Sequence, residues 1–592
     1  MYTIISSKGK KRDRRAAVLV MAAIFLVMMF AFLAFAVDLG YLMMAKTQLQ
    51  AAADSSALAA AGSMGQSQTI ATNTANLFAG KNLVGNQPVQ LASVTYGTWD
   101  KTTTPPFTPV SSGLISNAVK VEASADIPLF FARVLNINSK NVRASSLATC
   151  NPRDICFVVD LSGSMNNDTD PNNQGPIDGT YPGVGSTMMQ NIFNDFGYGT
   201  YSGAASQAIG APLGVSSIAA LIKVTGTPLS PLLTTKPQTV TIGGRSYTIP
   251  SLYRFTSSES SSARTKKAYS WVMDEQMVGK SGQAALPGIM PAAKPTPNSA
   301  DTNNYNYWYS YLSNSSYSSS IGYKSYTSFM MSYGGSTKPS STTLYTPLSI
   351  HSSDCPYHPD TTQKGNTFNF PPREMPTHAS RLAIIDALQI VKDRNQNITD
   401  SSQCDWVSVV TFDLKTNVVV LHDLNNNYDT AMQDCTTMQA TTDSVSCTAT
   451  ETGFMAAINL LNSNGRAGAN KVVVLLTDGI PNLYSSNGSA ISGFELANPD
   501  SNYYSSSSYY PQDAAMMQTA IMQGNNWSVF PIQLGLQGNA DFMNRIYSVA
   551  TGKTTQTLTN PYDATGNPAN YETDLIDIFN KIISNPKLRL VQ

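Results

Sequence analysis

The run Asp160-Leu-Ser162-Gly-Ser164-Met165 places three oxygen-bearing side chains at alternate positions, directly after the apolar stretch Ile155-Cys-Phe-Val-Val159. Gly163 permits a tight turn, so the three oxygens can converge on one hard divalent cation, which takes oxygen ligands by preference. The competing use of these residue types is turn and helix capping, which Ser and Asp perform routinely. Other chemistries find little support. Only four His are present, His351, His358, His378 and His422, with no H-E-x-x-H run and no Ser or Cys partner of a hydrolase signature. That argues against zincin-type and nucleophilic catalysis. Val278-Gly279-Lys280-Ser281 ends like a phosphate-binding loop, but Asp274 stands where the first Gly is required.

The elements that must hold the Asp160 turn read as α/β. Continuous apolar strands over 155–159, 406–412, 418–421, 472–476 and 529–534 alternate with helical patterns over 380–394, 451–462, 514–523, 540–550 and 572–583. In the first of these helices Ile384, Leu388 and Val391 recur at helical spacing. Strands apolar on both faces, separated by helices, predict a doubly wound, mostly parallel sheet. Ligands of such sheets sit outside the strand C-termini, where Asp160 falls. Residues 166–376 interrupt the layout with a Ser-, Tyr- and Asn-rich insertion, far beyond ordinary loop length, read as a folded subdomain or a binding element.

The D-x-S-x-S run resembles the metal-ion-dependent adhesion site of von Willebrand factor A domains, over about residues 153–165 and 377–590. The resemblance implies a Thr ahead of a later helix. In Cys447-Thr448-Ala-Thr450-Glu451-Thr-Gly453, Thr448 fits best and Thr450 is the weaker alternative. It also implies an Asp after a hydrophobic strand, matched by Asp478 in Val474-Leu-Leu-Thr477-Asp478-Gly479. The implied ligand set is Asp160, Ser162, Ser164, Thr448 and Asp478. Two carboxylates at one sheet edge repel each other unless a cation lies between them. All-oxygen ligands suit Mg²⁺, with Mn²⁺ or Ca²⁺ as alternatives. One position is left open for the carboxylate of a protein partner. Cys435 and Cys447 bracket the loop before Thr448 and can form a bridge stiffening it. Cys355–Cys404 is a second pairing among the 15 that six Cys allow.

Ahead of this domain, residues 16–37 are free of charge and, as a helix, span roughly 33 Å, the depth of a bilayer core. Lys8, Lys10, Lys11, Arg12, Arg14 and Arg15 precede them, which predicts a single-pass anchor with a cytoplasmic N-terminus and an exported remainder. Ala34-Phe-Ala36 offers a signal-peptidase site, but the run exceeds an ordinary signal h-region. Asp38 reads as a solvated residue just outside the bilayer. Leu42, Ala45, Leu49, Ala52, Ser56 and Ala59 form a stripe of small and apolar residues that packs either on the chain's own next domain or on other copies or partners. Residues 64–150 read as a small α+β unit. The stretch Val37-Asp38-Leu39-Gly40-Tyr41, followed by Gln48-Leu-Gln50-Ala-Ala-Ala-Asp54, resembles TadG-like proteins of Tad/Flp pilus assembly. That resemblance implies a bacterial inner-membrane protein, its bulk periplasmic or at the cell surface, with pilus or pilus-assembly components as partners.

The composition argues against a nucleic-acid binder. Charged residues are 13% of 592, against about 25% in ordinary globular chains. The 38 basic and 38 acidic residues cancel, leaving no net field to attract nucleic acid. The leading expectation is a protein that grips an acidic partner through its cation. The alternatives are a pilin-like structural subunit without a working metal site and, last, a metal-dependent enzyme.

Overall fold

The computed structural model describes residues 14–64, 67–99, 104–110, 116–150, 152–197, 200–201, 218–242, 245–271, 331, 345–353, 355–396, 398, 401, 404–441, 447–497, 509–536, 538–552, 558–584 and 588–590. The chain divides into two compact units. The first holds residues up to 152 with 394–404 and the C-terminal end, and the second holds 153–393 and 405–585.

The first unit begins with one unbroken helix, Arg14–Ser63. Its apolar run packs against nothing, and it is the one described helix long and apolar enough to cross a membrane. The helix Gln68–Gly80 follows, its N-terminus capped by Ser67, whose hydroxyl accepts from the Ile70 N–H at 3.1 Å. A five-stranded antiparallel sheet completes the unit in the order Leu588–Leu590, Ser139–Cys150, Ala118–Pro128, Leu91–Trp99, Phe107–Pro109. The small-residue stripe settles on this sheet. Ala45, Leu49 and Ala52 are fully buried with Ala123, Ile127 and Ala144 of its strands. Of the two readings of the stripe, packing on the chain's own domain is the one observed.

Asp38 departs from expectation. It is only 5% exposed, and its carboxylate accepts from the backbone N–H groups of Phe130 (2.8 Å), Phe131 (3.1 Å) and Ala132 (2.7 Å). It holds the entry to the short 3-10 turn Ala132–Leu135, where unpaired N–H groups need an acceptor. Asp38→Ala removes the acceptor of three backbone donors, and we expect a lower urea midpoint for the first unit.

The second unit is a doubly wound α/β domain. Its six strands lie in the order Val418–Asn425, Trp406–Phe412, Arg153–Asp160, Asn470–Thr477, Ser528–Leu534, Asp563–Ala564, all parallel except the antiparallel edge strand Val418–Asn425. All eight residues of the central strand are buried. Ile155, Phe157 and Val159 face one core with Ile384, Leu388 and Phe579, while Cys156 and Val158 face the other with Phe454, Met516 and Phe542. The strands and helices read from apolar periodicity all form, two with the bounds read and the others with ends extended by up to four residues.

Two features show how tightly this layer is built. A Cβ on Gly453 would lie 2.5 Å from Phe412 and 3.0 Å from Val158, so Gly453→Ala overpacks the helix–sheet contact and should cost about 1–3 kcal/mol. Asp154, fully buried, accepts from the Arg466 backbone N–H at 2.8 Å and from its guanidinium at 2.7 and 2.9 Å. Truncating one partner of such a pair leaves the other charge uncompensated. Asp154→Ala should therefore lose about 3–5 kcal/mol in urea unfolding.

Parts of the insertion are folded. The helices Gln174–Thr180, Val184–Asp195 and Ser261–Trp271 and two hairpins form. Asp195 accepts from the Arg373 backbone N–H at 2.9 Å and from its guanidinium. The Tyr-rich run over 305–328 and the 278–281 phosphate-loop-like sequence lie outside the described residues.

Candidate metal centre

The central strand ends at Asp160, and its neighbour in the sheet ends at Thr477, with Val159 registered opposite Leu476. The first parallel connection places its strand on one side of the central strand and the later strands fall on the other. Asp160 and Asp478 thus flank the point where the sheet reverses direction, the usual ligand crevice of such folds.

There the predicted residues meet. Asp160 accepts from the Ser162 backbone N–H at 2.8 Å through one oxygen and from the Thr477 hydroxyl at 2.6 Å through the other. The Ser162 and Ser164 hydroxyl oxygens are 3.0 Å apart, and Ser164 donates to Asp478 at 2.7 Å. A methyl group on Gly479 would sit 3.4 Å from the Thr448 hydroxyl oxygen and 3.5 Å from that of Ser164, which puts those two oxygens within about 7 Å of each other. Thr450 lies apart from this network, its hydroxyl buried without a hydrogen-bond partner.

The carboxyls are strained electrostatically. Burial, followed by the charge of Asp160, drives the Asp478 pKa well above the ordinary carboxylate range. Burial does the same to Asp160, against the hydrogen bonds from Thr477 and Ser162. Two carboxyls with sequence signals too weak to find them add to the field. Asp413, just past the strand paired with the central one, raises Asp160 further. Asp168, accepting from the Tyr571 hydroxyl at 2.8 Å, raises Asp478 and is itself pushed by burial to about 6. Oxygen donors with excess negative charge fit a hard divalent cation. Asp160, Ser162, Ser164, Thr448 and Asp478 are the residues that would hold it.

The loop carrying Thr448 is not held by a disulfide. Cys435 and Cys447 are both free thiols, as are Cys355 and Cys404. Cys435 ends the helix Tyr428–Cys435 with its side chain inside the apolar core, where burial raises the thiol pKa, while Cys447 is only half-buried. Hydrogen bonds fix the loop instead. Thr448 donates its N–H to the Asn482 side chain at 2.8 Å and accepts from the Asn482 N–H at 3.0 Å.

A second group of metal-type residues, His358, Asp360 and His378, lies in the same unit, unsignalled by sequence spacing. Arg381 approaches His378 Nδ1 at 3.5 Å, so the proton sits on Nε2, which donates to Asp360 at 3.1 Å. Burial lowers the His378 pKa to about 4, with Arg381 contributing. Only His378 of the three is buried; it hydrogen-bonds the Asp360 carboxylate, the His358 ring makes no hydrogen bond, and the neighbouring Arg381 cation disfavours a metal there. His422 is likewise occupied, between Asp434 at 2.8 Å and Asn425 at 3.2 Å.

Strand order and oxygen site together define a von Willebrand factor type A fold. Comparison with family models identifies the region before it: residues 16–63 match Tad, described as "Putative Flp pilus-assembly TadE/G-like", and residues 46–148 match Tad_C, "Putative Tad-like Flp pilus-assembly". Residues 16–63 are thus similar to TadE/G-like proteins and residues 46–148 to Tad-like ones, with the type A fold behind them. No curated protein matched the sequence. Among solved structures, the vWF domain of the type V pili tip protein Mfa5 from Porphyromonas gingivalis is 13% identical, covering 36% of this chain and 90% of that one at a TM-score of 0.24. Manganese-loaded Plasmodium vivax TRAP is 13% identical, with 32% and 61% covered at 0.20. The Streptococcus pneumoniae pilus adhesin RrgA is 11% identical, with 36% and 42% covered at 0.23. Scores this low add no weight to the topology itself.

Proposed function

We propose that this protein is a single-pass inner-membrane component of a Tad/Flp-type pilus system, with both folded units on the exported side. Its type A domain binds Mg²⁺, or alternatively Mn²⁺ or Ca²⁺, through Asp160, Ser162, Ser164, Thr448 and Asp478. The ion's remaining position accepts an Asp or Glu carboxylate of a protein partner among the pilus or pilus-assembly components. The role is binding rather than catalysis.

The supporting observation is the hydrogen-bonded chain Thr477–Asp160–Ser162–Ser164–Asp478, with spacings of 2.6–3.0 Å. It gathers two buried carboxyls and three hydroxyls at one sheet edge, where like charges need a counter-charge. The Ser164–Asp478 contact is one that an ion would replace, since a hydroxyl proton there stands in for the cation.

Cross-linking in intact membranes tests the reading. Partner adducts should form with Mg²⁺, vanish with chelator, and be absent in Ser162→Ala under both conditions. Adducts indifferent to chelator and to the substitution would instead favour a structural subunit whose oxygen site plays no part in assembly.

A further inference from the structure

The turn following the strand Ala118–Pro128 is strongly apolar yet uncovered. Phe130 is 58% exposed, Phe131 49%, Val134 88% and Ile137 49%. Such a cluster is costly in water and marks a contact surface. Its place in the fold identifies what it contacts. Asp38, the first charged residue after the apolar run, holds the backbone of Phe130, Phe131 and Ala132, and the Tyr41 ring meets Phe130 edge-on at 5.0 Å. The cluster is therefore fixed at the height where the N-terminal helix leaves its apolar stretch. That helix keeps Leu39, Met43 and Met44 exposed beyond Asp38. Six residues add about 9 Å, close to the depth of a headgroup layer.

We propose that residues 129–137 seat in the interfacial layer of the bilayer that the N-terminal helix crosses, with Phe130, Phe131, Val134 and Ile137 among the upper acyl chains. The proposal rests on the reading of that helix as a membrane anchor. Three physical points carry it. The exposed side chains are aromatic and aliphatic, which suit the boundary between acyl chains and headgroups. Arg133, exposed in the same turn, is the charge that lipid phosphates attract. Asp38, the carboxylate that holds this turn, is satisfied by backbone N–H groups instead of water, as a water-poor layer demands. The turn then acts as a second foot beside the helix and restrains how the first unit tilts on the membrane.

Full-length chain in proteoliposomes, with single added Trp residues, tests this. Emission is read as the difference from the parent chain, which has five Trp. Val134→Trp keeps the fold, because the site is open. Lipids brominated near the headgroup should quench about half of its emission, while aqueous acrylamide should quench little. Leu77→Trp, exposed on the helix Gln68–Gly80, should show the reverse. Phe30→Trp within the apolar run reports on the anchor itself: quenching by deep bromines confirms insertion, and its absence would fault the anchor reading separately. With Phe30→Trp quenched, a Val134→Trp that answers to acrylamide and not to bromolipid overturns the proposal. So does a Val134→Trp shielded from both, since a protein partner would then cover the turn.

Discussion

Asp478→Asn should make the metal-free protein more stable while removing the stabilisation it gains from a divalent ion. Asp478 is buried beside Asp160, and each charge opposes the other. Neutralising one carboxyl removes that repulsion and leaves an acceptor for the Ser164 hydroxyl. The expected gain is about 1–3 kcal/mol, or roughly 1–4 °C in the midpoint of a unit this large. In the parent chain an ion at about 100 times its dissociation constant adds roughly 2.7 kcal/mol. The substitution should abolish that increment, so parent and variant exchange order when Mg²⁺ is added. Differential scanning calorimetry with and without chelator reads both effects. A variant less stable than the parent in chelator would show that the carboxyl pair is structural.

The second large effect is on pH. Asp160 and Asp478 both have folded-state pKa values raised above their unfolded value of 3.8, and Asp168 rises to about 6. Above pH 3.8 the folded state therefore holds more protons than the unfolded one, and stability falls with rising pH through that window until the folded groups have also titrated. The metal-free protein should lose stability from pH 4.5 to 7.5, as far as these groups decide it. Ion binding runs the other way, since the cation displaces those protons. Affinity should rise by up to tenfold per pH unit for each proton displaced. Chemical denaturation across pH, with chelator and with Mg²⁺, should give two curves that diverge upward in pH. Parallel curves would mean that the carboxyls do not meet the ion.

How much of this was legible in sequence follows from how local each signal is. The Asp160–Ser164 turn and the Thr477-Asp478-Gly479 end lie within single short runs, so strand order alone was needed to bring them together. Thr448 is separable from Thr450 in sequence only by resemblance; in the structure both are buried, and the Thr448 hydroxyl lies by the Gly479 turn. Asp413 and Asp168 gave no warning. Their role comes from register, with Phe412 paired to Asp160, and from a 3-10 turn running back toward Tyr571. The cysteine bridge was read from spacing along the chain, whereas Cys435 points into the core. Asp38 looked solvated because its partners lie some 92 residues downstream. Long-range pairing of this kind leaves no periodicity to read.

The most direct measurement is isothermal titration of Mg²⁺ into the purified full-length chain at pH 7.5, beside Asp478→Asn. The account predicts one ion bound per parent chain and none by the variant. A parent that binds no ion, or a variant that binds as the parent does, would contradict it.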